Sequence, residues 1–135
     1  MIARKQYHSR MANGHRLIWD VDRLAALAGS LPIAEVPLSQ IREIDEVYWF
    51  QADGAVPTCR AVLEHATLIE AADLEYPIIL CPRGRVMDGM HRVARAVLLG
   101  LGSISARQFP ELPSPDYVDV RLESLPYDRM PKGGD

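Results

Sequence analysis

Within the stretch Val86–Gly100, VMDGMHRVARAVLLG, the run Asp88-Gly89-Met90-His91-Arg92 sets an acid, a glycine and two basic side chains where the pattern predicts a helix to begin. The first turn of a helix exposes backbone N–H groups without intrahelical partners and is electropositive, so cations placed there are unfavourable unless an anion sits among them. The pattern therefore points to an anion site. The amides around residues 89–92 would form a phosphate cradle, with Gly89 allowing close backbone approach at Met90. His91, Arg92 and Arg95 would project from adjoining parts of one polar face. Asp88 could cap the helix, hold a magnesium ion or orient a ribose hydroxyl. A plainer reading stands beside this one: Asp-Gly is a common turn, and a capped amphipathic helix with surface arginines needs no ligand.

A second constellation, EIDEVYWF at residues 43–50, puts Glu43, Asp45 and Glu46 directly before Tyr48-Trp49-Phe50. As a purely structural feature this is an acidic surface turn before an aromatic anchor. Trp49 is expected in the core or in a pocket wall rather than as a platform for base stacking. His65 is expected to be a packed or hydrogen-bonded histidine rather than a catalyst, and Arg60, near the start of the same helix, is a minor candidate for a second phosphate contact. Arg83 and Arg85 read as solvent-exposed turn residues, and His8 and His15 receive no role.

The elements that must hold these groups follow from periodicity and turn chemistry. Residues 20–29 predict a short helix with Leu24, Leu27 and Ala28 on one face and Gly29 at its end. Ile33, Val36 and Leu38 mark a strand, and Pro37 places it at an edge. A helix over 57–73 would open at Pro57 and turn Val62, Ala66 and Ile69 inward. YPIILCP and VMDG, joined by RGR, predict a β-hairpin. The next helix would bury Met90, Val93, Ala94, Val97, Leu98 and Leu101 and end at Gly100 and Gly102. SISARQF, 103–109, reads as a strand, and five of the ten prolines lie in 110–135, predicting an extended, irregular tail. The expected organisation is a basic arm at 1–16, a domain at 17–109 and a proline-rich extension at 110–135. The expected fold class is α+β, a small mixed sheet with flanking helices.

With 135 residues, 48% apolar and 24% charged, the chain suits one soluble domain with a real core. No apolar run reaches membrane-spanning length, and the amino-terminus lacks a secretory signal pattern. Cys59 and Cys81 have no metal-ligand spacing, so two reduced thiols in a cytoplasmic protein are expected. The net charge of −3 argues against general nucleic-acid coating. Residues 1–16, however, hold four Lys/Arg and no acid, leaving −7 on the remainder. That arm could touch a DNA phosphate backbone, but a solvated terminus is the better reading.

YPIILCPRGRVMDGMHRVARAVLLGLGSISARQF, with IAEVPLSQI before it, resembles the ParB/sulfiredoxin-like superfamily over about residues 33–109. The resemblance implies a nucleotide held by its phosphates at Asp88 to Arg92, with Arg95 in support. Sulfiredoxins carry Gly-Gly-Cys-His-Arg; here Met90 stands at the cysteine, and a thioether cannot supply a thiolate. The chromosome-partitioning branch carries Gly-Glu-Arg-Arg-x-Arg-Ala, to which Gly89 and Arg92 correspond, and continues into a helix-turn-helix for which this chain has no room. The free-serine kinase branch carries Asp-Gly-x-His-Arg, matched by Asp88, Gly89, His91 and Arg92. That branch implies an acidic general base after the first strand, Glu46 or Asp45, and magnesium near Asp88.

The expected ligand is accordingly ATP, ADP or CTP, with magnesium and a small-molecule acceptor if a phosphoryl group is transferred or the nucleotide hydrolysed. The alternative is a non-catalytic, stand-alone ParB-like regulator of DNA or a protein partner. A nuclease is a third option and would need Asp88 beside Glu43, Asp45 or Glu46.

Overall fold

The computed structural model describes residues 5–51 and 55–127. The chain divides into two compact units, Met1–Ser30 with Pro113–Asp135, and Leu31–Leu112.

In the first unit, β1 (Tyr7–Ala12) and β2 (His15–Asp20) form an antiparallel hairpin, followed by α1 (Val21–Ala28). The turn is Asn13-Gly14, both with positive φ, 52° and 80°. Asn-Gly is the dipeptide that suits a two-residue turn matched to strand twist. The arm expected at 1–16 is therefore a strand pair from Tyr7 onward, and the boundary at 16/17 falls inside β2. Residues 1–4 lie outside the described residues.

Asp20 caps α1 by accepting from the Asp22 amide at 2.9 Å. Leu24 and Ala28 are buried in α1 as expected, whereas Leu27 is 43% exposed. The 110–135 tail is not wholly irregular, because β7 (Tyr117–Val118) adds to β2 as a third strand. Trp19 is fully buried, and its indole N–H donates to the Pro113 carbonyl at 2.8 Å.

The second unit carries a four-stranded mixed sheet, ordered β3-β6-β4-β5. Its strands are β3 (Ala34–Pro37), β4 (Ile78–Leu80), β5 (Val86–Asp88) and β6 (Ser103–Gln108), with α2 (Cys59–Ala71) and α3 (Met90–Leu98) between them in the chain. β3 and β5 pair antiparallel with β6 and β4, and β4 runs parallel to β6. β3 is an edge strand ending at Pro37, as expected of a residue without a backbone donor. The core joins Ile41, Ile78, Leu80, Val86, Met90, Val93, Ala96, Ile104 and Ala106. Fully burying one such large aliphatic side chain is worth about 1.5–3 kcal/mol.

Two helical expectations are corrected. α2 starts two residues later than Pro57 suggests, because the Thr58 hydroxyl caps it by accepting from the Ala61 amide at 3.1 Å. None of its residues is buried, and Val62 is 49% exposed. α3 buries Met90, Val93 and Ala96, while Val97, Leu98 and Leu101 are exposed. Val97 and Leu98 are exposed within the helix itself, and Gly100, at φ 72°, ends it before Leu101 can continue the periodic face.

Candidate functional site

The β4–β5 hairpin and the start of α3 bring the motif residues together, though not as an open cationic cradle. Asp88 ends β5, and its carboxylate pairs with the Arg92 guanidinium at 2.9 Å. It does not cap α3. That position belongs to Gly89, at φ 113°, and the helix has no side-chain cap. A Cβ on Gly89 would come within 2.6 Å of the Ile78 side chain and 3.0 Å of the Arg92 guanidinium. The close approach that Gly89 permits is thus to the protein's own atoms.

Arg92 is committed in the same way. Its Nη1 donates to the Tyr76 and Pro77 carbonyls at 2.9 and 2.8 Å, in addition to the Asp88 pair. Arg95 donates to the Glu70 carbonyl at 2.6 Å. This supplies a cation to the last turn of α2, which has none of its own.

His91 resolves the remaining puzzle of a basic residue in the first turn. Its Nε2 lies 2.8 Å from His65 Nδ1. Burial, and then the neighbouring His65, lower its pKa to about 4, so the ring is neutral near pH 7. His65 is likewise lowered by burial, against an opposing pull from Glu64. Trp49 stacks on both imidazoles, with centroids 4.4 Å from His65 and 4.7 Å from His91. The two imidazole centroids are only 5.1 Å apart, so they lie edge to edge on one side of the indole. His65 is therefore a partner of the motif histidine, as the hydrogen-bonded expectation held.

Beside this stack lies a cleft of about 620 Å³. Its walls are the 43–50 segment, the 55–57 segment, and Met90 and Ala94 of α3. The size falls in the usual range for small-molecule sites. Glu43 and Glu46 line it together with Met90, so two of the three acidic residues share a cavity with the α3 start.

The two differ sharply in setting. Glu46 is exposed and held by Arg85, with bonds of 3.0 and 2.5 Å. Arg85 keeps its carboxyl below the usual glutamate value, chiefly through these hydrogen bonds and also through its charge. Glu43 is 3% exposed. Its Oε2 accepts from the Val86 amide at 2.6 Å and lies 3.4 Å from Arg85 Nε, while Oε1 has no partner among the described residues. Asp45 is exposed and does not line the cleft.

Sequence reasoning thus ranked the acidic residues without the one feature that separates them. A short 3₁₀ turn at Arg42–Asp45 points Glu43 inward, and no period of two or 3.6 applies there. Arg85 was expected in solvent and instead bridges Glu43 and Glu46.

The described cations of the amino-terminal region are also engaged. Lys5 pairs with Asp20 at 2.8 Å, Arg10 lies over the Trp19 ring and bonds His8, and Arg16 donates to Ser9. Among the described residues, no three His, Cys, Asp or Glu side chains converge as a metal-binding group. No described helix is long and apolar enough to cross a membrane.

The described residues define a small mixed α+β protein with two sheets and three helices, and with a largely apolar cavity beside a helix start. No family model, curated protein or solved structure matches the chain.

Proposed function

We propose that the Leu31–Leu112 unit is a nucleotide-binding domain of ParB/sulfiredoxin-like type, with its ligand in the cleft that the 43–50 and 55–57 segments form with α3. One observation carries this reading: α3 begins without a side-chain cap, and its first residue, Met90, forms part of the wall of a 620 Å³ cavity. The amides of Met90, His91 and Arg92 have no acceptor within the helix and can hold phosphate oxygens. The Asp-Gly-x-His-Arg resemblance supports the same end of the helix.

The roles of the side chains differ from the motif's first reading. Arg92 and Arg95 brace the hairpin and α2, and backbone amides carry the phosphate contact. The described lining contains two carboxylates and no lysine or arginine, so a bare polyphosphate would meet like charge. Magnesium therefore enters on the nucleotide. It needs only one or two protein carboxylates beside phosphate oxygens, and Asp88 is already committed to Arg92. Phosphoryl transfer is not part of the proposal, because Glu46 is held ionised by Arg85 and is a weak base, and Asp45 lies outside the cleft.

Calorimetric titration with ATP, ADP, CTP and inorganic triphosphate, each with magnesium, tests the reading. Heat of binding should accompany amide NMR shifts at Met90, His91 and Arg92. A folded sample giving neither with any of the four overturns it.

A further inference from the structure

Glu43, one of the residues that line the cleft, carries a buried acceptor that nothing among the described residues satisfies. Glu43 is 3% exposed, yet its Oε1 has no hydrogen-bond partner among the described residues, while Oε2 is fixed by the Val86 amide and lies near Arg85. Buried acceptors are nearly always paired, so an orphan of this kind marks a place completed by something else. The Glu43 side chain cannot readily swing away to find water, since its other oxygen holds the β5 backbone.

The second observation is Trp49, which lines the same cavity. Its indole is backed on one side by both imidazoles, so it is braced there as a rigid planar wall. A braced aromatic wall beside an unfilled acceptor selects a flat ligand that donates from its edge. An aliphatic ligand would leave the stacking unused, and a ring bearing only acceptors would face a carboxyl oxygen lone pair to lone pair.

We propose that the cleft takes a planar heteroaromatic ring carrying an N–H donor, stacked on Trp49 with its donor on Glu43 Oε1. This deepens the nucleotide reading above by assigning the base end of the ligand, and adenine, with its exocyclic amine, is the probe that fits. Glu43 and Trp49 then decide which ring is accepted, while the α3 amides hold the phosphates.

The test compares magnesium complexes of ATP, of purine riboside triphosphate (whose ring has no N–H) and of inorganic triphosphate. ATP is expected to bind about tenfold more tightly than purine riboside triphosphate, the range of one well-made hydrogen bond. Glu43→Gln should erase that preference, and Trp49→Leu should weaken both nucleosides' triphosphates by about tenfold. Trp49→Phe, which keeps a ring, serves if the leucine variant fails to fold. Equal affinity for all three ligands overturns the ring assignment and leaves phosphate binding intact. If inorganic triphosphate does not bind, adenosine alone separates the two ideas. Adenosine shifts at the Trp49 indole and Val86 amide would keep the ring site and discard the phosphate site, and their absence would overturn both.

Discussion

His65 Nδ1 and His91 Nε2 stand 2.8 Å apart, joining α2 to the first turn of α3 beneath the Trp49 ring. Only one hydrogen lies between two such nitrogens, so the bond requires one ring to donate and the other to accept. Protonating both rings would leave no acceptor between them and set two cations edge to edge next to a helix N-terminus, and burial opposes the charge even on His91 alone. The fold therefore uses His91 as a neutral ring. That is how a basic residue is tolerated at a position that disfavours charge.

A pH prediction follows from the direction of these shifts. His91 is lowered from 6.5 to about 4, so the unfolded chain takes up its proton first. Its contribution to stability is full above about pH 6.5 and is lost as the pH falls to about 4. His8 in the first unit, lowered to about 3 by burial and then by Arg10, adds to the same acid loss. Imidazole NMR should show His91 neutral at pH 6, and urea midpoints should drop between pH 6.5 and 4. A His91 signal titrating near its ordinary value would refute the assignment.

Arg92 is expected to matter more for stability than for the ligand. Arg92→Ala removes three hydrogen bonds and leaves two carbonyls and Asp88 without their shared donor, a loss of about 2–3 kcal/mol. Arg92→Lys should recover little of this, because an ammonium cannot span the fork that reaches Tyr76, Pro77 and Asp88 together. Urea denaturation measures both variants. An unchanged midpoint with lost nucleotide binding would return Arg92 to the phosphate.

Gly89 is expected to accept no side chain. Gly89→Ala would put a methyl 2.6 Å from Ile78 at a φ of 113°, combining a clash in the core with backbone strain. A destabilisation of about 3 kcal/mol is expected from the two effects together. Thermal unfolding provides the measurement, and a variant as stable as the parent would mean that the chain turns differently there.

Much of the framework was legible because local chemistry dictates it. Asp20 and Gly29 bracket α1, RGR closes the β4–β5 hairpin, and Gly100 stops α3, each for a reason carried by the residue itself. The β1–β2 hairpin was equally legible, since Asn13-Gly14 sits between its strands, but the positive charge around it drew attention to a possible arm. What periodicity could not reveal was partnership. The spacing of His91, Arg92 and Arg95 says nothing of His65, of the Tyr76 and Pro77 carbonyls, or of Glu70, which lie 15 to 26 residues away. The inward turn of Glu43 was hidden for a related reason, because a single 3₁₀ turn has no repeating face to betray it.

Arg85 supplies the last expectation, and it bears on which acid could handle a proton. The guanidinium grips Glu46 through both terminal nitrogens and keeps its carboxyl below the ordinary glutamate value, with Arg42 adding a smaller charge effect. A carboxylate held ionised in this way is a poor proton acceptor. Arg85→Ala should let the Glu46 carboxyl rise towards its ordinary value, visible as a shifted midpoint in side-chain carboxyl ¹³C NMR. The same variant removes the cation 3.4 Å from Glu43 while leaving the Val86 bond in place, so β5 should remain formed. A Glu46 midpoint unchanged by the substitution would mean that the ion pair does not persist in solution, and that Glu46 is free to act as a base at the cleft rim.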